Sequence, residues 1–361
     1  MRIAMIATSR HPIAEPYAGG QESHTALLAR ELRRQGHFVR LYGVEGTDAS
    51  MVDEVVPYVA HPALSAMGAR DPETPELGFL ADLSAFTGAM VDVLARDDVD
   101  LVHNQSLHFL PLALTPAMRV PVITTLHTPP FPWMELGIAL ADPSASYVCV
   151  SEANARGWTT LRTPPRIILN GVEDDGLGEG RGGEDLVWMG RITPEKGTDL
   201  AIAAARAAGR RLRLIGPRSN AAWFDDVIAP LLGDDVVHLG HLPHADLVSV
   251  VRECAAALVT PRWEEPFGLV AAEAAASGTP VVALDRGGLS EFVTTDMGVL
   301  VDPHADDVVV ARRMAEAVDR AVELPRDVVR RTTLTDLGSA RMAADYVDLY
   351  RQLVGAHRSA A

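Results

Sequence analysis

Lysine is almost missing from this chain: of 32 basic residues in 361, one, Lys196, is a lysine and the other 31 are arginines. Alanine is abundant, so the bias reads as that of a genome whose base composition has replaced lysine wherever arginine serves. The lone survivor then marks a place where arginine does not serve. An ammonium is a compact point charge and a guanidinium a wide planar fork, and a crowded phosphate site discriminates between them. Cysteine is nearly as scarce: Cys149 and Cys254 both fall in apolar runs that read as strands, which excludes a disulfide framework and leaves two reduced core thiols. No run of Lys and Arg interrupts a net charge of -16, which argues against nucleic acid and anionic membrane surfaces as partners. No apolar stretch reads as long enough to span a bilayer, and residues 1–8 lack the cleavage pattern of a leader, so the chain is expected in the cytoplasm. Disorder is expected only at residues 355–361. There is no Asp-x-Asp pair after a strand in the first half and no His-Cys cluster at ligand spacing, so no metal and no cofactor is expected.

What is present is the composition of a globular protein, 48% apolar and 22% charged, at about twice the usual length of one domain. Apolar runs of four to eight residues alternate with longer stretches of helical period, the pattern of strand and helix units around parallel sheets. Strands are expected at 3–7, 39–42, 101–103, 122–126 and 147–150, and again at 186–189, 212–215, 236–238, 257–260, 281–283 and 299–301. A helix over 21–35 stops at Gly36, a glycine suited to a helix C-terminus. The Gly-rich, acidic stretch 171–184 reads as a hinge. The expected fold class is therefore α/β, with two doubly wound, Rossmann-like domains at 1–170 and 185–335 facing each other across a deep cleft, and a tail helix over 336–356 left over. Ligand loops sit at the carboxyl ends of such strands, so the cleft between the sheets is the expected site.

Residues 260–283 hold the densest chemistry. Pro266 and Phe267 close a loop after a strand, and Gly268 opens an alanine-rich helix whose first N–H groups are free to bind an anion, phosphate above all. Glu265 lies in the loop and Glu273 two turns on. Spacing alone makes them ordinary acidic residues favoured by the helix dipole, but each carboxylate is able to accept two hydroxyl hydrogen bonds and so to hold a vicinal diol. Gly190 and Arg191 follow an expected strand, with Lys196 at the next helix start. Gly19 and Gly20, between the first strand and helix, allow a ligand close to the backbone. His127 ends a strand, and the prolines after it place it at an exposed loop end. His24 and His241 stand beside motif glycines and divide evenly between ligand contact and structure.

The run EPFGLVAAEAAASGTPVV at 265–282 resembles the signature of the retaining GT-B glycosyltransferases of family 4, two glutamates separated by seven residues. AGGQESH at 18–24, LHT at 126–128, LNGV at 169–172, GRITPEKG at 190–197 and GGLSE at 287–291 follow the family's order, so the resemblance covers almost the whole chain. It implies a GT-B fold whose C-terminal helix returns to the N-terminal, acceptor-binding domain, with the nucleotide-sugar donor on the second. It further implies that Arg191 and Lys196 contact the donor diphosphate. Glu265 would hold hydroxyls of the transferred sugar and Glu273 the ribose, while Phe267 and the amides of Gly268, Leu269 and Val270 border the phosphates. Gly19 and Gly20 would close over the diphosphate, and His127 would border the reacting carbon.

The resulting expectation is metal-independent transfer of a hexose, with retention, from a UDP-sugar, or from GDP-mannose as the alternative donor. Clamped phosphate oxygens would accept the acceptor's proton. Without a carboxylate placed as nucleophile, a front-face displacement is preferred to a covalent intermediate. The rivals are a nucleotide-sugar epimerase on the same fold and an inactive donor-binding partner subunit. The acceptor is expected to be a soluble small molecule or saccharide, docking against residues 129–133, with Phe131 and Trp133, and the acidic segment 51–77. A homodimer is left open.

Overall fold

Short Val-, Ile- and Leu-rich runs buried on both faces form parallel sheets. The computed structural model describes residues 1–59, 63–73 and 75–360, and among these they build two such sheets. The first contains β1 (Arg2–Ile6), β2 (Phe38–Gly43), β3 (Glu54–Pro57), β4 (Leu101–Asn104), β5 (Val122–Leu126), β6 (Ser146–Cys149) and β7 (Arg166–Ile167), in the order β3-β2-β1-β4-β5-β6-β7. The second contains β8 (Leu186–Met189), β9 (Leu212–Ile215), β10 (Val236–His238), β11 (Ala256–Val259), β12 (Val281–Leu284) and β13 (Gly298–Val301), in the order β10-β9-β8-β11-β12-β13. All pairings are parallel; Met5 lies between Leu41 and His103. The strand order reverses direction between β1 and β4 and between β8 and β11. Loops diverge there and leave a crevice at the carboxyl ends of the strands.

The edge strands β3 and β7 escape the sequence reading. One is four residues long and carries Glu54 and Pro57, and the other has two residues, too short for any period to register. Cys149 does end β6, but Cys254 lies beyond helix His244–Arg252 and before β11, so it is a buried loop thiol rather than a strand residue.

Helix Leu77–Ala95 corrects another expectation. With mean hydropathy 1.5 over its best window it is long and apolar enough, by length and composition, to cross a membrane. It packs instead on the first sheet through Phe86, Met90 and Val93, and Asp92 on it accepts a hydrogen bond from Tyr42 of β2 at 2.7 Å.

The tail differs in its bounds. Helix Arg326–Leu337 ends at Gly338, and a separate helix, Ser339–Ala360, runs through 355–360 of the stretch expected to be disordered, residue 361 lying outside the described residues. Its Met342, Tyr346, Tyr350 and Val354 enter the core of the first sheet beside Met5, Leu28 and Ile123. Each such side chain contributes about 1.5–3 kcal/mol by leaving water. Beyond them His357 meets the Arg119 carbonyl at 2.7 Å and Arg358 pairs with Asp100 at 2.9 Å.

The chain passes between the sheets twice, at adjacent places. The Val172 N–H donates to the Leu337 carbonyl at 2.8 Å and Ser339 N–H to the Val172 carbonyl at 2.9 Å. The Gly-rich stretch after Val172 is held by arginines: Arg330 pairs with Asp174 and Asp175, Arg252 binds the carbonyls of Leu177 and Gly178, and Arg30 meets Glu173 at 2.8 Å.

Candidate active site

The carboxyl ends of both sheets open onto one cavity of about 1070 Å³, large enough for a nucleotide sugar and a second molecule. It is lined by Gly19, Gly20, His127, Arg191, Lys196, His241, Glu265, Phe267, Gly268, Leu269, Val270 and Glu273, whereas His24 is buried and does not line it. Phe267 lines it from the core, 2% exposed and stacked on Phe292.

Lys196 is fixed by crossing loops. Gly216, after β9, has φ +145°, and a Cβ there would fall 1.8 Å from the Gly190 carbonyl oxygen. Gly197 has φ +66°, and its Cβ would fall 2.1 Å from the Thr260 carbonyl oxygen. Only glycine allows such approaches. The Thr260 hydroxyl donates to the Gly197 carbonyl at 2.8 Å and accepts from Trp188 Nε1 at 3.1 Å, tying the loop after β8 to that after β11. Lys196 Nζ then reaches Glu265 Oε2 at 2.7 Å, with Trp263 Nε1 donating to the same oxygen at 2.8 Å. Both donors use one carboxylate oxygen and leave Oε1 for a ligand hydroxyl. Arg191, nearly half exposed, has only a distant carboxylate, Glu195 at 4.0 Å, and is available to an anion.

Glu265 is braced from behind. Gly288 N–H donates to its carbonyl at 2.7 Å, and Ser151 of the first domain donates to the Pro266 carbonyl at 2.5 Å. Gly287, at φ +59°, lies so close that a Cβ would meet the Glu265 backbone at 2.2 Å. Glu291 accepts from the N–H groups of Glu152 and Ala153 at 2.8 and 2.6 Å. The GGLSE motif is thus the brace behind Glu265 and a strut between the domains.

Helix Leu269–Ala276 starts from Gly268 at φ +99°. Ala271 N–H turns back to the Gly268 carbonyl at 2.9 Å, whereas the N–H groups of Gly268, Leu269 and Val270 precede any intrahelical acceptor and face the cavity end. Glu273 follows on this helix. Burial raises its carboxyl pKa, with the nearby His244 opposing the shift.

Gly19 and Gly20 bring the first domain over this terminus. Gly19 is fully extended, so its backbone does not require glycine. Gly20 does face a constraint, since a Cβ there would lie 3.0 Å from Leu269 Cδ1. His241 meets the Tyr17 carbonyl at 3.1 Å on the same seam.

His127 departs from expectation: it is half-buried, its ring held from below rather than standing at an exposed loop end. Gln105 Oε1 lies 2.6 Å from His127 Nε2, while Gln105 Nε2 points to His103 Nε2 at 3.1 Å. With the amide donating to His103, its oxygen accepts from His127, which puts the His127 proton on Nε2. His103 continues to the Tyr350 hydroxyl at 2.6 Å and the Thr125 hydroxyl at 2.8 Å, and Thr125 to Tyr346 at 2.9 Å. Helix Ser339–Ala360 therefore reaches the cavity through a buried polar chain. His24, equally undecided from the sequence, is a buried ring packed edge-on to His127 at 4.9 Å.

These imidazoles are neutral. Burial lowers the pKa of His24 to about 4, against a weak opposing effect of Asn170, and holds His103 and His127 well below the ordinary value. Folded-state values below that of the unfolded chain mean that the unfolded state takes up protons first. Stability is therefore full above pH 6.5 and falls as the pH drops below it, by on the order of 2 kcal/mol at pH 5 for His24 alone, with His103 and His127 adding loss in the same direction. Thermal melts from pH 7.5 to 5 are expected to show this decline; a flat profile would contradict neutral buried rings.

Several cavity residues were missed. Glu22 is 6% exposed, lines the cavity and has no hydrogen-bond or ion-pair partner among the described residues, so its carboxylate is open to a hydroxyl. It stands inside the AGGQESH motif, which was the available signal. Trp263, two residues before Glu265, also lines the cavity, while Gln105, just past β4 at the switch point, is fully buried and acts on the cavity only through His127. Of the acidic segment 51–77 only Glu76 lines the cavity, while its residues 60–62 and 74 lie outside the described residues. Among the described residues no group of three or more His, Cys, Asp or Glu is disposed to hold a metal ion.

Residues 18–175 match the family model for "Glycosyltransferase Family 4" and residues 173–333 that for "Glycosyl transferases group 1". The chain is 28% identical to a glycogen synthase of Mycobacterium tuberculosis, with 95% of each chain covered. It is 29% identical to a D-inositol 3-phosphate glycosyltransferase of Corynebacterium glutamicum, over 84% of this chain and 85% of that one. The structure of Anabaena HepE in complex with UDP and glucose superposes with a TM-score of 0.73 at 19% identity, covering 98% of this chain and all of that one.

Proposed function

Because the chain belongs to the family 4 glycosyltransferases of the GT-B fold, we propose that it transfers a hexose from a UDP-sugar to a hydroxyl of a soluble small molecule, with retention and without a metal. One observation carries the donor assignment: the only lysine of the chain, paired at 2.7 Å with Glu265, faces the same cavity as the free N–H groups that open helix Leu269–Ala276. Ammonium, Arg191 guanidinium and helix terminus converge where a diphosphate would leave, and fixed positive charge stabilises a departing anion most in a partly enclosed site. Glu265 Oε1 takes hydroxyls of the sugar and Glu273 those of the ribose. UDP is preferred to GDP because UDP and glucose occupy the Anabaena relative of the same fold.

In this reading the C1–O bond to the β-phosphate breaks as the acceptor oxygen approaches the same face. The acceptor's proton passes to the leaving phosphate oxygen. Arg191 and Lys196 hold that oxygen, and the neutral His127 borders C1. Thermal-shift measurement with UDP-, GDP- and ADP-sugars identifies the donor, and NMR of the product gives the anomer. The expected outcome is UDP-sugar stabilisation, a product with the donor's configuration and turnover unaffected by a chelator; an inverted product would overturn the mechanism.

A further inference from the structure

The wall of the cavity formed by the first domain is apolar and aromatic, and nothing in the donor assignment uses it. Phe79 and Trp133 are 37% and 45% exposed, large rings left to water on a molecule that buries most of its aromatics. They lie 5.9 Å apart at 34°. Trp133 is nearly parallel to His108, at 6.4 Å and 13°, and His108 is stacked on buried Phe86 at 4.4 Å. The rings come from three separate elements: helix Leu77–Ala95, the loop after β4, and helix Pro132–Leu140 beyond β5. His108 is buried and Phe109 stacks on Trp133 at 5.3 Å and 19°, so they back the exposed rings of Phe79 and Trp133. Two elements presenting exposed rings inside a cleft, on a firm aromatic backing and continuous with a donor site, is the disposition of a binding surface.

Charge narrows the ligand. Glu76 and Asp82 line this wall, and Arg10 is its exposed cation. Burial lowers the pKa of His108 to about 4, so at neutral pH it adds a flat uncharged ring and no positive charge. A phosphorylated polyol placed here would meet two carboxylates for one guanidinium. Asp82 is already engaged by the Ser9 hydroxyl at 2.5 Å, which takes one carboxylate oxygen beside the rings away from a sugar's hydroxyls.

Resting on the transferase reading above, we propose that the acceptor is an uncharged, hydroxyl-bearing aromatic compound whose rings lie on Phe79 and Trp133, with His108 behind them. Transfer then forms the bond from sugar C1 to the acceptor oxygen and breaks the bond from C1 to phosphate, the hydroxyl proton leaving on the nucleoside diphosphate.

The test uses the full chain and the nucleotide sugar found by thermal shift. 4-Methylumbelliferone and quercetin are compared as acceptors with glucose and inositol 1-phosphate. The phenols are expected to be used with at least a 100-fold higher kcat/KM and to quench tryptophan fluorescence saturably without donor. Trp133→Ala is expected to raise phenol KM at least tenfold, with Trp133→Phe restoring most of the loss. Preference for the sugar or the inositol phosphate, or an unchanged phenol KM in Trp133→Ala, overturns the proposal. The two readings fail separately. A chain that binds no nucleotide sugar refutes the transferase reading, whereas one that binds and slowly hydrolyses it yet ignores phenols refutes only the acceptor class. Quenching that persists unchanged in Trp133→Ala counts against the ring surface whatever the donor result.

Discussion

Replacing Lys196 by arginine is expected to lower kcat by about 10²–10³-fold, the effect of removing one well-placed donor from a charge-stabilising site. The substitution keeps the charge and so isolates shape. The ammonium sits 2.7 Å from Glu265 Oε2 and 5.1 Å from the Trp263 ring centre, in a niche whose floor is set by the contact of Gly197 with Thr260. A guanidinium is wider and planar, and it would turn its fork to both Glu265 oxygens, taking the one left for the sugar. Because the Lys196 side chain is only 22% exposed and paired with Glu265, the melting temperature separates any loss of folding from the loss of turnover. Steady-state kinetics with the identified donor, alongside melting temperature, checks both halves. Wild-type turnover in the arginine variant would remove the argument that this site selects a point charge.

The second large effect is expected at Gly268, in stability as well as activity. Alanine there must adopt φ +99°, and its Cβ would fall 2.4 Å from Leu289 Cδ2. Backbone strain of this kind costs on the order of 1–3 kcal/mol, with the displacement of Leu289 added to it. Leu289 starts the short helix of the GGLSE motif, so the disturbance passes to the brace behind Glu265. Gly268→Ala is therefore expected to lower the melting temperature by several degrees and to weaken nucleotide binding at least tenfold. Gly355→Ala is the control: it lies in helix Ser339–Ala360 with nothing within 4 Å of the added Cβ, and should stabilise by about 0.5–1 kcal/mol. Calorimetric melts and nucleoside diphosphate titrations of both variants decide the matter.

The parts of this molecule legible in its sequence are those written in local pattern. The central strands are runs such as VVAL and LVWM, and the sheet order follows once parallel pairing and short connections are granted. The motifs alone put Lys196 at a helix start, Glu265 in a loop after a strand and Gly268 at the head of a helix. What the sequence does not reveal depends on long-range contact. No local signal shows that Gln105 turns His127, or that Tyr350, 247 residues after His103, bonds to it. The break at Gly338 is hidden because both flanking segments have helical period. The apolar helix Leu77–Ala95 was underestimated because its two aspartates interrupt the run, although the helix is apolar as a whole. The GGLSE motif was legible as a motif, but its part in bracing Glu265 appears only when the two domains meet.

The return of helix Ser339–Ala360 to the first sheet also orders events during synthesis. The core around Met5, Leu28 and Ile123 is completed by Met342, Tyr346 and Tyr350, which leave the ribosome after every strand of both sheets. All the strands of the second sheet precede them in the chain, so that sheet is able to close while the first still lacks a wall. The N-terminal half, made first, is finished last, and a chain truncated by some twenty residues would lose the foundation of the histidine at its cleft while keeping an intact donor half.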